Sequence, residues 1–207
     1  MELDIYGVKM ERGYHHGDLR QALVDTALTV LTEKGVEAFS LRETARRTGV
    51  SPAAPKHHFT DTKGLLTALA TLAFTRLADA LDRADDAAGP DRRARLMAQA
   101  QAYAGFALSD PALFDLMWRA SLLDLSNPQL QAQKARAFDS LDRLIRGADA
   151  PDLARDDPAM APTFACWSLV HGFARLLLDG GFGQGHDEQA HMAQVMLPAM
   201  LDRLDVD

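Results

Sequence analysis

Apolar residues recur at three- and four-residue spacing along most of the chain, and no run of alternating β-branched residues ends in a hairpin turn. That periodicity predicts an all-α fold. Leu19, Ala22, Leu23, Ala27, Val30 and Leu31 share one face of a first helix that starts near Asp18, whose charge suits a helix N-terminus, and closes at Gly35. Ser40-Leu41-Arg42-Glu43 reads as a capping box, the serine hydroxyl serving the Glu43 amide and the glutamate reaching back to the Ser40 amide. The second helix it opens runs from Leu41 to about Thr48. Gly49 then supplies a left-handed residue, and Ser51-Pro52 reads as a new N-cap with proline at the first helical position. Ala45 allows the two short helices to approach closely while Val50 points into the core. Asp61 caps a long helix through Leu65, Leu66, Leu69, Leu72, Ala73, Leu77 and Leu81, which Gly89-Pro90 ends. Breaks at Ser109-Asp110-Pro111, at Ser126-Asn127-Pro128, within 147–158 and within 180–185 divide the remainder into four or five further helices, about nine in total. No internal repeat is evident.

The length of 207 residues permits one large unit or two small ones, and 47% hydrophobic with 25% charged residues is the composition of a folded chain. The longest apolar stretches, 65–75 and 168–178, fall short of the ~20 residues a membrane span needs. The opening MELDIYGVKMERGYHH has no apolar run of the signal-peptide kind. The expectation is a cytoplasmic protein without membrane contact. Cys166 is the single cysteine, between Ala165 and Trp167, and reads as a small buried residue. The net charge of −7 changes meaning once divided: residues 1–63 hold nine Lys/Arg, nine Asp/Glu and four histidines, so the whole excess of acid lies in 64–207. A neutral head on an acidic body is compatible with phosphate contact at one end.

A short capped helix, a glycine turn and a second short helix with small and basic residues is helix-turn-helix geometry, in which the second helix enters the major groove of double-stranded DNA. Ser51, Ala53 and Ala54 are small enough for close backbone approach, Lys56, His57 and His58 offer phosphate or base contacts, and Arg42 can reach the DNA backbone. On spacing alone an ordinary helical corner with a solvated basic edge explains the same residues. The stretches YHHGDLRQALVDTALTVLTEKG and FSLRETARRTGVSPAAPKHHFTDTKGLLTAL, however, resemble the DNA-binding domain of the TetR family of transcriptional regulators. The resemblance implies a three-helix DNA-binding domain over 17–63, with its motif at about 40–59, preceded by an N-terminal arm, 1–16. It implies repression as a homodimer on a palindromic operator, and DNA contact by Arg42, Ser51, Pro52, Ala53, Ala54, Lys56, His57, His58 and Lys63. Two departures stand out: Lys56 occupies the place of a usual phosphate-binding tyrosine, and Thr62, with Lys63 next, that of a usual lysine. Pro55 also removes a backbone donor and biases Ala54 away from helical angles.

Residues 64–207 are expected to form an antiparallel helical bundle for ligand sensing and dimerisation. The helix near 161–178 is apolar around its whole circumference, so one of its faces is expected to meet a second subunit. The last helix carries two stripes, Met192, Val195, Met196, Ala199 and Met200 on one side and Leu197, Leu201 and Leu204 on the other, with Pro198 as a kink. Phe173, Leu177, Val195, Met196 and Met200 are the expected interface of a four-helix contact between subunits. Trp167, His171 and Gly172 resemble the pattern of a TetR subgroup named for its Trp, His and Gly. Phe106, Phe114, Met117, Trp118, Phe138, Trp167 and His171 are the expected pocket for an apolar or amphipathic effector, or else plain core. No metal and no cofactor is expected. A metal-responsive regulator is the alternative, since Asp187 and His191 stand four apart with His186 adjacent, but no third firm ligand is visible. A helical-bundle enzyme is a weaker one, because no nucleophile elbow, phosphate loop or His-Glu-x-x-His occurs. A DNA-binding protein without any ligand fits the same residues.

Overall fold

The computed structural model describes residues 16–183 and 185–203. The N-terminal arm up to residue 15 and Leu204 lie outside them. The described residues form nine α-helices and no strand: α1 (His16–Lys34), α2 (Leu41–Thr48), α3 (Lys56–Phe59), α4 (Thr62–Ala87), α5 (Arg92–Ser109), α6 (Pro111–Met117), α7 (Pro128–Arg146), α8 (Ala161–Leu178) and α9 (His186–Leu201). Single 3₁₀ turns follow α6, at Ala120–Leu122, and precede α8, at Pro158–Met160.

The termination signals behave as chemistry demands. Gly35 and Gly49 adopt φ of 72° and 78°, the left-handed region that lets a chain leave a helix without a Cβ clash. Asp61, Asp91 and Asn127 cap α4, α5 and α7, each accepting from the backbone N–H three residues on. The helices between these caps pack around α4, which touches α1, α3, α5, α6 and α7. By length and composition α4 is apolar enough to cross a membrane, which the expectation of no such segment missed. In the fold it is the central core helix: Leu65, Leu69 and Ala73 are fully buried and Leu77 nearly so. Burying each such leucine contributes ~1.5–3 kcal/mol.

Because α4 starts beside α3 and runs into the bundle, one rigid element joins both ends of the molecule. A second tie comes from Thr67 of α4, whose hydroxyl donates to the Lys63 carbonyl (2.7 Å) and accepts from the Asp124 N–H (2.9 Å). Across the bundle, Arg136 of α7 holds Asp79 and Asp82 of α4. Asp142 of α7 takes both Arg146 and the Thr163 hydroxyl of α8.

Candidate DNA interface and ligand cavity

The turn between α2 and α3 is built by local hydrogen bonding. Val50 N–H reaches back to the Ala45 carbonyl (3.0 Å) and Gly49 N–H to Arg46 (3.2 Å), the paired bonds that end a helix with a left-handed glycine. Ala45 is fully buried and Val50 packs against the core, as their sizes suggest. Half of the expected capping box is present. Ser40 Oγ accepts from the Glu43 N–H at 3.4 Å, but the Glu43 carboxylate is engaged by Arg46 (2.9 Å) and Arg47 (2.8 Å) instead of the Ser40 amide. Hydrogen bonds from the two guanidinium groups pull the Glu43 carboxyl down to about 2. Arg47 also reaches Glu33 of α1 (2.6 Å), so these two arginines brace the head.

The recognition segment departs from the expectation. Pro52 does not open an α-helix; the chain passes through successive three-residue turns, Ala54 to Ser51, Lys56 to Ala53 and His57 to Ala54, and only Lys56–Phe59 is α-helical. Pro55 is the cause, since it has no N–H for the Ser51 carbonyl and its ring disfavours helical angles at Ala54. The segment is anchored by Phe59, which is buried under the Arg20 guanidinium, 5.1 Å from the ring centre. Its end lies so close to α4 that a Cβ on Gly64 would fall 1.9 Å from the Phe59 carbonyl oxygen. Between them Thr60 takes φ of 63°, a costly angle for a β-branched residue.

Arg42, Ser51, Pro52, Ala53, Lys56, His57 and Lys63 are all exposed, and Ala54 and His58 are half-buried. Arg42 and Lys63 stand in the first turns of α2 and α4, where outward N–H groups favour phosphate. Among the described residues neither they nor Lys56 form an ion pair, in contrast to Arg46 and Arg47.

Behind the head lies a cavity of about 360 Å³ between α4, α5, α7 and α8. Of the seven expected pocket residues, Trp118, Phe138 and Trp167 line it. Phe114 and Met117 are buried core, and Phe106 lies against a separate cleft with Arg76 and Asp110. His171 does not line the cavity but packs edge-on against Trp118, ring centres 4.7 Å apart. Phe74, Gln99, Tyr103, Lys134 and Arg155 are also in the wall and were not anticipated. Lys134 precedes Phe138 by one turn on the same face of α7, a neighbour relation visible in the sequence; the contribution of Arg155 from the α7–α8 loop is not.

Tyr103 joins the cavity to the Trp-His-Gly motif. Its hydroxyl lies 2.8 Å from His171 Nδ1, and the His171 ring packs against Trp167 with centres 6.1 Å apart. Burial pushes the phenol well above its ordinary range, and burial followed by nearby Arg175 holds His171 below its own. The Tyr103 phenol and a neutral imidazole therefore share a hydrogen bond at Nδ1. Burial raises the Cys166 thiol to about 11, leaving it an unreactive wall residue. The Gln99 Oε1 and the Trp118 Nε1 are buried without a hydrogen-bond partner. Directly after Trp118, Arg119 forms an ion pair of 2.9 Å with Glu37, in the loop between α1 and α2.

On the far side, α8 divides its faces differently from the expectation. Phe173 and Leu177 are buried within the subunit, because that side of α8 packs on α5. The outward residues are Ala165, Ser168 and Leu176, the last 49% exposed. On α9 the two stripes separate as predicted: Leu197 and Leu201 face the core, whereas Val195 (52%) and Met196 (40%) face outward and Met200 is half-buried. Asp187, His186 and His191 are exposed at the start of α9, and among the described residues no three His, Cys, Asp or Glu side chains are grouped to hold a metal ion.

A family model for bacterial regulatory proteins of the tetR family matches residues 23–69, and one for the tetracyclin repressor-like C-terminal domain matches 96–200. The chain belongs to the TetR family. The second description names no Trp-His-Gly subgroup. Among solved structures, that of a protein with unknown function from Rhodococcus sp. RHA1 is 34% identical, covering 92% of this chain and 98% of that one with a TM-score of 0.72. The TetR-like regulator LfrR of Mycobacterium smegmatis, in complex with proflavine, has 20% identity over 86% of this chain and 94% of its own, with a TM-score of 0.57. The uncharacterized regulator YobS of Bacillus subtilis is 23% identical over 83% of this chain and 85% of its length. Like other TetR members, this chain is a transcriptional regulator with a DNA-binding helix-turn-helix.

Proposed function

We propose that the chain is a cytoplasmic, homodimeric repressor that leaves a palindromic operator when a small amphipathic molecule fills the cavity between α4, α5, α7 and α8. The observation that carries this reading is the position of Trp118. It forms part of the cavity wall, and the next residue, Arg119, is ion-paired to Glu37 in the reading head. A ligand that moves Trp118 thus moves a contact of the DNA-binding helices, and it acts as an effector only if it prefers the arrangement that fits DNA poorly. The cavity volume falls within the ~300–1,000 Å³ usual for small-molecule sites, and LfrR, with the same fold, holds proflavine in its solved complex.

Arg42, Lys56 and Lys63 would hold phosphates, while Ser51, Pro52, Ala53, Ala54, His57 and His58 meet the groove. The exposed stripe of α8 with Val195 and Met196 of α9 supports a four-helix contact with a second copy. The packing of Trp167 on His171, itself held by Tyr103, supports placing the C-terminal domain in the Trp-His-Gly subgroup. Selection of bound sequences from random duplex DNA tests the reading. The expected product is a pseudo-palindrome with half-sites about one helical turn apart or a multiple of it; recovery of no enriched sequence contradicts it.

A further inference from the structure

The charge inside the cavity is opposite to that of the domain around it. Residues 64–207 carry the protein's whole excess of acid, yet the cavity wall holds Lys134 and Arg155 and no carboxylate. Elsewhere in the bundle Arg95, Arg136, Arg146 and Arg175 each hold an aspartate. Lys134 and Arg155 instead lie over aromatic rings, at 6.0 Å from the Phe74 centre and 4.4 Å from the Phe138 centre. Among the described residues neither forms an ion pair.

The two cations belong to the same cavity wall. Lys134 and Phe138 are neighbours on one face of α7, one turn apart, and the Arg155 guanidinium covers Phe138. Arg155 is exposed, which puts it at the mouth. The opposite wall is apolar and aromatic, with Tyr103, Trp118, Trp167 and the leucines of α4. Gln99 and Trp118 each keep a polar atom without a partner, so the wall is not purely hydrocarbon in character.

We propose that the effector is an amphipathic anion, a carboxylic acid with an apolar, ring-bearing body, whose carboxylate is held at the mouth by Arg155 and Lys134. The guanidinium fork matches a carboxylate's two oxygens, and the ammonium adds a point charge from the same side. A cationic ligand would meet two like charges and no carboxylate in the wall. This rests on the ligand-sensing reading above and sharpens it to one chemical class.

The two tryptophans of the chain, Trp118 and Trp167, both line the cavity, so their fluorescence reports occupancy directly. The full-length protein is titrated with 4-phenylbutyrate, 4-phenylbutanamide and 4-phenylbutylamine, which share a body and differ in charge. The carboxylate is expected to bind at least tenfold more tightly than the amide, with the amine weakest. In a Lys134→Met, Arg155→Met double variant with an unchanged circular dichroism spectrum, the carboxylate is expected to fall to the affinity of the amide, which itself stays constant. Equal binding of all three probes, or the amine binding best, overturns the anion assignment. Displacement of protein from selected DNA is followed in parallel. Release by all three probes without charge preference leaves the sensing reading standing and removes this one, whereas absence of binding by any of them removes both.

Discussion

The Tyr103 hydroxyl and His171 Nδ1, from α5 and α8, lie 2.8 Å apart behind the cavity wall. Tyr103 thereby ties α5 to the motif on α8. Tyr103→Phe leaves the His171 Nδ1 without its partner and should cost about 1–3 kcal/mol, read as a drop in thermal midpoint. His171 adds a pH signature. Burial lowers its pKa in the folded state, so below the ordinary histidine range the unfolded chain binds a proton that the folded one resists. Its contribution to stability is complete above that range and declines as pH falls through it. Denaturant titrations at pH 7.5 and pH 5.5 should show a smaller pH difference in His171→Asn than in the wild type.

The surface of α8 and α9 predicts which changes alter assembly and which alter folding. Leu177 is fully buried, so Leu177→Asp should unfold the subunit by placing a charge in its core. Leu176→Asp on the outward face should instead give folded monomers. Gly172→Trp separates the two effects further, because a Cβ there meets nothing within 4 Å in the single subunit. Sedimentation of a folded Gly172→Trp protein is expected to show monomers where the wild type shows dimers.

Within the head, the bases proposed to touch DNA are separable from those that brace the fold. Lys56→Ala and Arg42→Ala should weaken DNA binding across sequences and each flatten the log–log salt dependence by about one unit. Arg47→Ala should lower the thermal midpoint, since the side chain bridges Glu33 and Glu43, and leave the salt slope unchanged.

The junction of α3 and α4 predicts two opposite outcomes at neighbouring positions. Gly64→Ala forces a Cβ into the Phe59 carbonyl, a backbone atom that cannot turn aside. It should destabilise the head by about 2 kcal/mol or more and reduce DNA affinity with it. Thr60→Gly releases a positive φ and should raise stability by ~1 kcal/mol.

Much of this was legible in the chain because caps and glycines act locally. Gly35, Gly49, Asp61 and Asn127 end or begin helices through atoms within a few residues, so the helix boundaries they set could be read directly. Pro55 was legible as a disturbance but not in its outcome, which depends on how the remaining turns share the Ser51–Ala54 carbonyls. On α8 apolar residues occur all round, so periodicity carries no information on which face meets α5, and Phe173 and Leu177 were assigned outward when they point in. The cavity was half-read for a related reason. Aromatic residues mark it from any position, whereas Lys134 and Arg155 look like solvated surface until α7 and the following loop bring them over Phe74 and Phe138.

The central claim is that cavity and reading head are coupled. The most direct measurement is the affinity of one cavity ligand, followed by tryptophan fluorescence, for the free protein and for the protein saturated with its selected operator. Linkage requires operator DNA to weaken ligand binding by the same factor by which the ligand weakens DNA binding, and about tenfold corresponds to ~1.4 kcal/mol of coupling. The account predicts that loss in both directions, reduced when Arg119→Ala cuts the contact with Glu37. Equal ligand affinity in the free and operator-bound protein would contradict it.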